Sequence, residues 1–328
     1  MRRRDVLSLL GGAAVPWPLS ARGQQTGMPV IGLLGSASPE AYTIRLSAFR
    51  DGLKVEGYAE GQNVQIEYRW AEGHNNRLQE LAAQLVQRHV TVLVAAGGTA
   101  SALAAVAATS SISIVFGIGA DPVEVGIVAS LNRPGGNATG ITSLNIEVGP
   151  KRLELLRELL PSASDVGLLI NPADPALAEP ASRLAQTAAT ALGLRLHVLH
   201  ASSERDFDAV FATLSQLHGD GLVIGADNFF TAHSKQLAEL SVRHGVPAIY
   251  QFREFAAAGG LMSYGSSETE YYRLIGIYAG RILKGNKPAD LPIQQSTKVE
   301  LILNLKTARA LGVTIPLTLL GRADEVIE

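Results

Sequence analysis

The order of apolar runs and glycine turns repeats along this chain, and this repetition most limits the folds open to it. Residues 31–37 (IGLLGSA) share a pattern with residues 166–172 (VGLLINP), and an amphipathic helix and another apolar run follow each segment. The two halves stay in step at an offset of about 130 residues. Buried parallel strands read as continuous apolar runs, with glycine where the chain turns sharply. The repetition therefore predicts an α/β protein with two similar doubly wound (flavodoxin-like) lobes and a ligand cleft between them.

The stretch from residue 92 to 142 carries the clearest local signal. An apolar run at 92–96 turns at Gly97 and Gly98 into an alanine-rich helix, and a second run at 112–116 ends in another glycine turn. This order predicts a parallel βαβ unit with a right-handed crossover. Ligands of open α/β sheets bind beyond the carboxyl ends of the strands. The two glycine turns are therefore the first place to look for a binding site.

Composition narrows the classes of protein and of site. The chain has 328 residues, enough for two domains. Its formal net charge of −2 provides no basic surface for nucleic acid, so we expect no nucleic-acid partner. It contains no cysteine, which excludes disulfides, zinc–thiolate sites, iron–sulfur clusters and a lipid attached to an N-terminal cysteine.

The first residues differ in character from the rest of the chain. Three arginines at 2–4 precede a weakly apolar run that ends at Leu19, and a small–x–small pattern follows at 21–23. This order is typical of a signal peptide, and the paired arginines predict one of the twin-arginine type over residues 1–23. The sequence thus predicts an exported protein. A basic N-terminus on a cytoplasmic protein is the alternative.

The remaining chain divides into two lobes. We assign residues 28–140 and about 297–328 to the N-terminal lobe, and residues 144–293 to the C-terminal lobe. The helix expected at 268–283 then belongs to the second lobe, and the strand expected at 299–303 returns to the first.

Two short segments connect the lobes in this assignment, near residues 140–143 and 294–297. We expect them to act as hinges, because hinges lie at loop or element ends that absorb backbone rotation. Ordinary linkers are the alternative.

Known catalytic patterns are missing from the sequence. It has neither a G-x-S-x-G elbow nor a G-x-x-x-x-G-K-[ST] loop, and residues 117–122 resemble a dinucleotide fingerprint but have Pro122 in place of the third glycine. Of the seven histidines, only His197 and His200 are close in sequence, and a strand would point them to opposite faces. We therefore expect a protein that is not an enzyme and that has no metal site and no cofactor.

Polar and aromatic side chains instead follow the expected strands. Thr99 begins a helix behind a glycine turn, where free backbone N–H groups favour a carboxylate. Asp227 has the corresponding place in the second lobe and suits an ammonium group, and aromatic residues nearby suit a ring. The predicted ligand-binding residues are Ser36, Gly98, Thr99, Asp121, Asn171, Asp227, Phe229, Tyr250 and Tyr264, with Arg253 beside them. Such a set suits a small zwitterion or an aromatic acid; helix capping by Ser36, Thr99 and Asp227 is the alternative.

Seven segments carry a resemblance that spans essentially all of the chain after the signal peptide. They are VIGLLGSASPEAY, GQNVQIEYRWAEG, SLNRPGGNATGIT, KRLELLRELLP, FREFAAAGGLMSYG, AGRILKGNKPADLPIQQSTKVELILNLKTARALGV and RADEVIE. In this order they resemble the ABC transporter substrate-binding protein family that includes the tryptophan-binding lipoproteins. The resemblance implies a type I periplasmic-binding-protein fold, with two lobes, three crossing segments and a cleft that closes on a small ligand.

The resemblance also implies a function and partners. Such a protein captures a small ligand, an aromatic or other amino acid, and delivers it to an ABC permease in the inner membrane that a cytoplasmic ATPase drives. Because this chain lacks the cysteine that carries the lipid in the lipoprotein members, we expect a soluble periplasmic monomer without a lipid anchor. Two alternatives are a sensor that signals to a membrane receptor and a two-lobed α/β enzyme.

Overall fold

The computed structural model describes residues 27–143 and 145–328 and contains two sheets, each covered by helices. The predicted signal peptide lies outside the described residues. The strands are β1 (Val30–Gly35), β2 (Gln65–Trp70), β3 (Val92–Ala95), β4 (Ser113–Ile118), β5 (Ala138–Ser143), β6 (Asp165–Ile170), β7 (Arg195–His200), β8 (Gly221–Ile224), β9 (Ala248–Tyr250), β10 (Met262–Ser266), β11 (Gln294–Ser296), β12 (Val299–Asn304) and β13 (Glu325–Ile327).

Helices connect most of these strands. They are α1 (Thr43–Val55), α2 (Leu78–Gln87), α3 (Thr99–Ala108), α4 (Gly149–Leu159), α5 (Pro175–Ala191), α6 (Asp206–Gln216), α7 (Asn228–Ala232), α8 (Ser234–Arg243), α9 (Arg253–Ala257), α10 (Glu268–Leu283), α11 (Leu305–Ala310) and α12 (Leu317–Leu320). Short 3₁₀ turns lie at Glu40–Tyr42, Asn75–Arg77 and Pro288–Asp290.

The two sheets have the same strand order, which confirms the predicted fold class. The first sheet runs β11-β5-β4-β3-β1-β2, and all of its strand pairs are parallel. The second runs β13-β12-β10-β9-β8-β6-β7, and only the β10–β12 pair is antiparallel. Within each sheet the first five strands of the lobe follow the 2-1-3-4-5 order of flavodoxin-like folds.

Each sheet separates two apolar clusters because successive side chains of a strand point to opposite faces. In β1, Leu33 packs with Phe49 on one face, whereas Leu34 packs with Leu85 on the other, and all four are buried. The second sheet has the same arrangement. Burial on both faces explains why these strands read as unbroken apolar runs.

The structure assigns the C-terminal part of the chain differently from the sequence prediction. Helix α10 packs against α1 in the first lobe, since glycines let the two backbones approach closely. A Cβ atom at Gly52 would lie 2.0 Å from the carbonyl oxygen of Arg273, and one at Gly276 would lie 2.1 Å from that of Phe49. Strand β12, in turn, pairs with β10 in the second sheet. The prediction was wrong for both elements because an apolar pattern identifies an element but not its distant packing partner.

The chain therefore crosses between the lobes three times. It crosses between β5 and α4, between β10 and α10, and between β11 and β12. The segments predicted near 140–143 and 294–297 lie mostly in β5 and β11, and the first and third crossings directly follow them; the second crossing was not foreseen. Hinge motion at these crossings stays a prediction.

Candidate ligand-binding site

Two adjoining cavities lie between the lobes, beyond the carboxyl ends of the strands. The inner cavity, of about 560 Å³ including its open mouth, is lined by Gly98, Gly117, Leu177, Phe252, Tyr271 and Tyr272, among others. The outer cavity, of about 880 Å³ on the same basis, is lined by residues that include Ser36, Glu72, Asn171, Asp174, Phe229 and His233. Thr99, Asp227 and Asn228 line both. The two cavities are therefore parts of one cleft.

The first lobe presents unsatisfied polar groups to this cleft. Gly98 has a φ of +85°, a backbone conformation that favours glycine, and it places Thr99 as the first residue of α3. The hydroxyls of Ser36 and Thr99 are buried and have no hydrogen-bond partner among the described residues. Ser101 instead forms the local turn, accepting from the Gly97 amide at 2.9 Å and donating to the Gly98 carbonyl at 2.8 Å. Thr99 is thus left available for a ligand at a helix N-terminus.

Asp227 is the central polar residue of the second lobe. Its Oδ1 accepts a hydrogen bond from the Phe229 amide at 2.6 Å, which caps α7, and its Oδ2 accepts one from Asn171 Nδ2 at 3.2 Å. Burial, together with the negative charge of the neighbouring Asp174, raises the pKa of Asp227 to about 6. Asp227 therefore acts as the helix cap that the sequence offered as an alternative, while its carboxylate also lines the cleft.

Asp174 and Asp227 have no lysine or arginine partner in the described part of the cleft. Among the described residues that line the inner and outer cavities, none is a lysine or an arginine. The outer cavity contains His233, which lies 3.0 Å from Glu204 and 2.8 Å from the Phe229 carbonyl oxygen. A positively charged group bound near Asp174 and Asp227 would relieve their mutual repulsion and the cost of their burial.

Three of the predicted site residues lie away from both cavities. Tyr250 is fully buried in the second-lobe core, where it stacks on Phe255 at 4.7 Å and its hydroxyl lies 2.8 Å from that of Ser241. Tyr264 packs against the cluster on the opposite face of the second sheet. The prediction of an aromatic wall from these two tyrosines was wrong, because a short strand does not reveal which of its faces meets the cleft.

Asp121 also lies outside the cleft lining. It is exposed, and its Oδ1 accepts a hydrogen bond from the Val123 amide at 2.7 Å, so it serves the local turn. Arg253 is likewise engaged elsewhere, in an ion pair with Glu325 at 2.5 Å. The remaining predicted residues line the cleft: Ser36, Gly98, Thr99, Asn171, Asp227 and Phe229.

Sequence reasoning missed the contribution of α10. Its first turns bring Glu268, Tyr271 and Tyr272 to the inner cavity. Arg45 Nη2 lies 2.7 Å from Glu268 Oε1, both side chains are almost fully buried, and the guanidinium also lies 5.6 Å from the centre of the Tyr272 ring. Burial raises the pKa of Glu268, and the Arg45 charge opposes this shift. Only the close packing of α10 on α1 makes this cluster, so no local pattern could reveal it.

Two lobes that share the order of their first five strands, three crossings and a cleft at the strand ends define a protein of type I periplasmic-binding-protein architecture. The family model described as ABC transporter substrate binding protein matches residues 33–327. The chain belongs to this family, as the sequence resemblance implied. No helix among the described residues has the length and apolar character needed to cross a membrane.

Individual relatives are distant in sequence. A tyrosine-binding protein of Clostridioides difficile (strain R20291) is 26% identical over 277 residues, which cover 80% of this chain and 75% of the relative. The solved ABC domain from Streptococcus pneumonia in complex with L-Trp is 24% identical over 92% of this chain and 100% of that one, with a TM-score of 0.83. A ligand-free, open structure of a substrate binding protein with adhesive properties from Clostridium difficile is 23% identical, covers 91% of this chain and 99% of that one, and has a TM-score of 0.67.

Proposed function

We propose that this protein captures an aromatic amino acid in the cleft between its lobes and delivers it to an ABC permease. The observation that carries the proposal is the charge pattern of the cleft. The unpaired hydroxyls of Ser36, after β1, and Thr99, at the start of α3, lie on one side. The half-buried Asp174 and the buried Asp227 lie on the other, and no lysine or arginine is among the described residues that line the two cavities. This pattern complements the carboxylate and the ammonium group of a zwitterion.

The ligand carboxylate is assigned to the first lobe. Ser36 and Thr99 offer hydroxyl donors, and the first turn of α3 offers backbone N–H groups that have no partner within the helix. The positive end of the helix dipole adds to this preference for an anion. Neutral donors of this kind bind a carboxylate without a buried arginine.

The ammonium group is assigned to Asp227, with Asp174 beside it. A charged donor that bonds to a buried carboxylate contributes more than a neutral one, about 1.5–3 kcal/mol. Ionised Asp227 also stays well placed, because the Phe229 amide and Asn171 hold its two oxygens. Loss of this carboxylate should therefore weaken binding strongly.

The aromatic side chain is assigned to the inner cavity. Phe252, Tyr271 and Tyr272 supply ring surfaces there, and glycines at 98, 117 and 119 leave space between them. The named ligands of two relatives, tyrosine and L-Trp, support an aromatic ligand.

Capture requires lobe closure and no chemistry, so we propose no enzymatic activity. The ligand binds the open form, and closure adds contacts from the second lobe that stabilise the closed form. The higher TM-score with the L-Trp complex than with the open, ligand-free structure supports assigning the present arrangement to the closed form.

Calorimetry on refolded protein, free of carried-over ligand, tests the proposal. L-Tyrosine and L-tryptophan should bind, whereas the corresponding deaminated acids should bind at least about tenfold more weakly, because they cannot satisfy Asp227. Asp227→Asn keeps the helix cap and should remove this preference. Equal binding of the deaminated acids would remove the ammonium role from Asp227, and no binding of any aromatic amino acid would overturn the proposed ligand class.

We also propose export and a monomeric periplasmic protein. The arginine-rich start of the chain supports processing after Gly23, and membership of the family supports a permease partner. Mass spectrometry of the periplasmic fraction should find a chain that begins at Gln24. An intact N-terminus in the cytoplasm would contradict export, and sedimentation would test the monomer.

A further inference from the structure

Tyr271 and Tyr272 are neighbours in α10 and both line the inner cavity, but their hydroxyls have different surroundings. Tyr272 Oη donates a hydrogen bond to the Ala96 carbonyl oxygen at 2.8 Å, which ties α10 to the end of β3. Tyr271 Oη forms no hydrogen bond with any residue of 27–143 or 145–328. The Tyr272 hydroxyl therefore has a structural role, whereas the Tyr271 hydroxyl is available to a ligand.

The Tyr271 ring is held firmly in this place. It packs edge-on against Tyr272, with ring centres 5.4 Å apart and planes at 81°. A Cβ atom at Gly117 would lie 2.7 Å from Tyr271 Oη and 2.6 Å from Ile275 Cδ1, so only glycine at 117 leaves room for the hydroxyl at the end of β4. The position of the hydroxyl in the cavity wall is thus set by packing on two sides.

The chemistry of this hydroxyl suits recognition of a polar ring atom. Burial raises the pKa of Tyr271 far above its ordinary value, so the group stays protonated and both donates and accepts hydrogen bonds. A hydroxyl that a bound ligand shuts off from water loses its hydration without compensation unless the ligand pairs with it. Sites that bind a ligand through a buried polar group reject analogues that lack the matching group.

We propose that Tyr271 is a specificity-determining residue whose hydroxyl bonds to a polar ring atom of the ligand. The site then prefers aromatic amino acids that carry a phenol or an indole N–H over those with a plain phenyl ring. This inference rests on the proposed function and adds to it the group that selects among aromatic ligands.

The test compares dissociation constants for L-tyrosine, L-tryptophan and L-phenylalanine by calorimetry. In the wild-type protein, at least one polar-ring ligand should bind about tenfold or more tightly than L-phenylalanine, the worth of one well-placed hydrogen bond. In Tyr271→Phe this ratio should fall to within about threefold, through weaker binding of the polar-ring ligand.

Two variants on the same helix serve as controls. Tyr272→Phe loses the bond to Ala96, so its affinities should change by a common factor and keep the wild-type ratio. Tyr278→Phe loses a hydrogen bond to the Pro292 carbonyl, and Tyr278 lines neither cavity, so its affinities should not change. 4-Fluoro-L-phenylalanine, which has tyrosine's shape but no hydroxyl, should bind the wild-type protein like L-phenylalanine, and this comparison needs no variant to fold.

The outcomes separate this inference from the proposed function. An unchanged ratio in Tyr271→Phe, or equal wild-type affinities for L-phenylalanine and both polar-ring ligands, overturns the role of Tyr271 and leaves an aromatic binding protein. Failure of all three amino acids to bind the wild-type protein overturns the proposed function and this role together.

Discussion

Asn228 Nδ2 donates a hydrogen bond to the carbonyl oxygen of Gly97 at 2.9 Å, and this bond joins the second lobe to the first. Asn228 follows Asp227 at the start of α7, and Gly97 precedes Thr99 at the start of α3. The contact between the lobes is therefore made by the same two strand ends that we assign to the ligand. We expect closure and ligand capture to be coupled at this point, because each would stabilise the arrangement that the other needs.

Removing this contact should weaken ligand affinity. We expect Asn228→Ala to raise the dissociation constant for the preferred aromatic amino acid by up to about tenfold, the usual range for one neutral hydrogen bond. Calorimetry checks the value, with Asn286→Ala at an exposed position outside the cleft as the control. Equal losses of affinity in Asn228→Ala and Asn286→Ala, or no loss in Asn228→Ala, would show that this hydrogen bond does not support closure.

Gly98 offers a steric test of the same closure. A Cβ atom at Gly98 would lie 2.3 Å from Asn228 Nδ2, whereas one at Gly57 would meet nothing within 4 Å. Gly98 has a φ of +85° and a ψ of −166°, a region almost restricted to glycine, so alanine there should cost about 1–3 kcal/mol of unfolding free energy. Gly57 also has a positive φ, +84°, and alanine there should cost about 1 kcal/mol. We therefore expect both variants to lose unfolding free energy, Gly98→Ala the more, but only Gly98→Ala to bind the ligand more weakly. Normal binding by Gly98→Ala would mean that the ligand-bound form does not need this close approach.

The buried Arg45–Glu268 pair should matter for stability. Arg45→Met leaves the Glu268 carboxyl buried without its partner, which we expect to lower the free energy of unfolding at pH 7 by about 3–5 kcal/mol. Urea denaturation measures this loss. The double variant Arg45→Met/Glu268→Gln should regain part of it, because it replaces the carboxyl that lost its partner with a group that cannot ionise.

An exposed ion pair provides the comparison for Arg45. Lys54 and Asp51 lie 2.9 Å apart, with 65% and 57% of their side chains exposed. Lys54→Met should therefore change the free energy of unfolding by less than about 1 kcal/mol. Equal losses of unfolding free energy in Arg45→Met and Lys54→Met would show that burial does not determine how much these ion pairs contribute to stability.

The raised pKa of Asp227 predicts a pH dependence of ligand binding. The carboxyl ionises near pH 6 in the free protein, and an ammonium group binds the ionised form. Affinity should therefore increase between about pH 5 and pH 7, by up to tenfold per pH unit below the pKa, where binding must displace a proton. Calorimetry across this range checks the slope. Asp227→Asn should bind weakly with no such slope, and a slope that persists in this variant would assign it to another group.

The sequence already determined the local architecture of each lobe. Unbroken apolar runs identified strands such as β1, β3, β6 and β8, because strands covered on both faces contain apolar residues at nearly every position. The sequence also located the glycine turn at Gly97 and Gly98 and the carboxylate of Asp227. Each follows a predicted strand, and parallel strands place their carboxyl ends, where ligands bind, at one edge of the sheet.

The tertiary structure decided which elements meet. The attachment of α10 to α1 depends on Gly52 and Gly276, which are far apart in the chain and have no local pattern that pairs them. This packing brings Tyr271 and Glu268 to the cleft, while Tyr250 points into the core. Local periodicity reports whether a residue is buried, whereas the face it presents and the lobe it joins follow from long-range packing. The sequence alone thus located the cleft, and only the folded chain determined most of the aromatic side chains that line it.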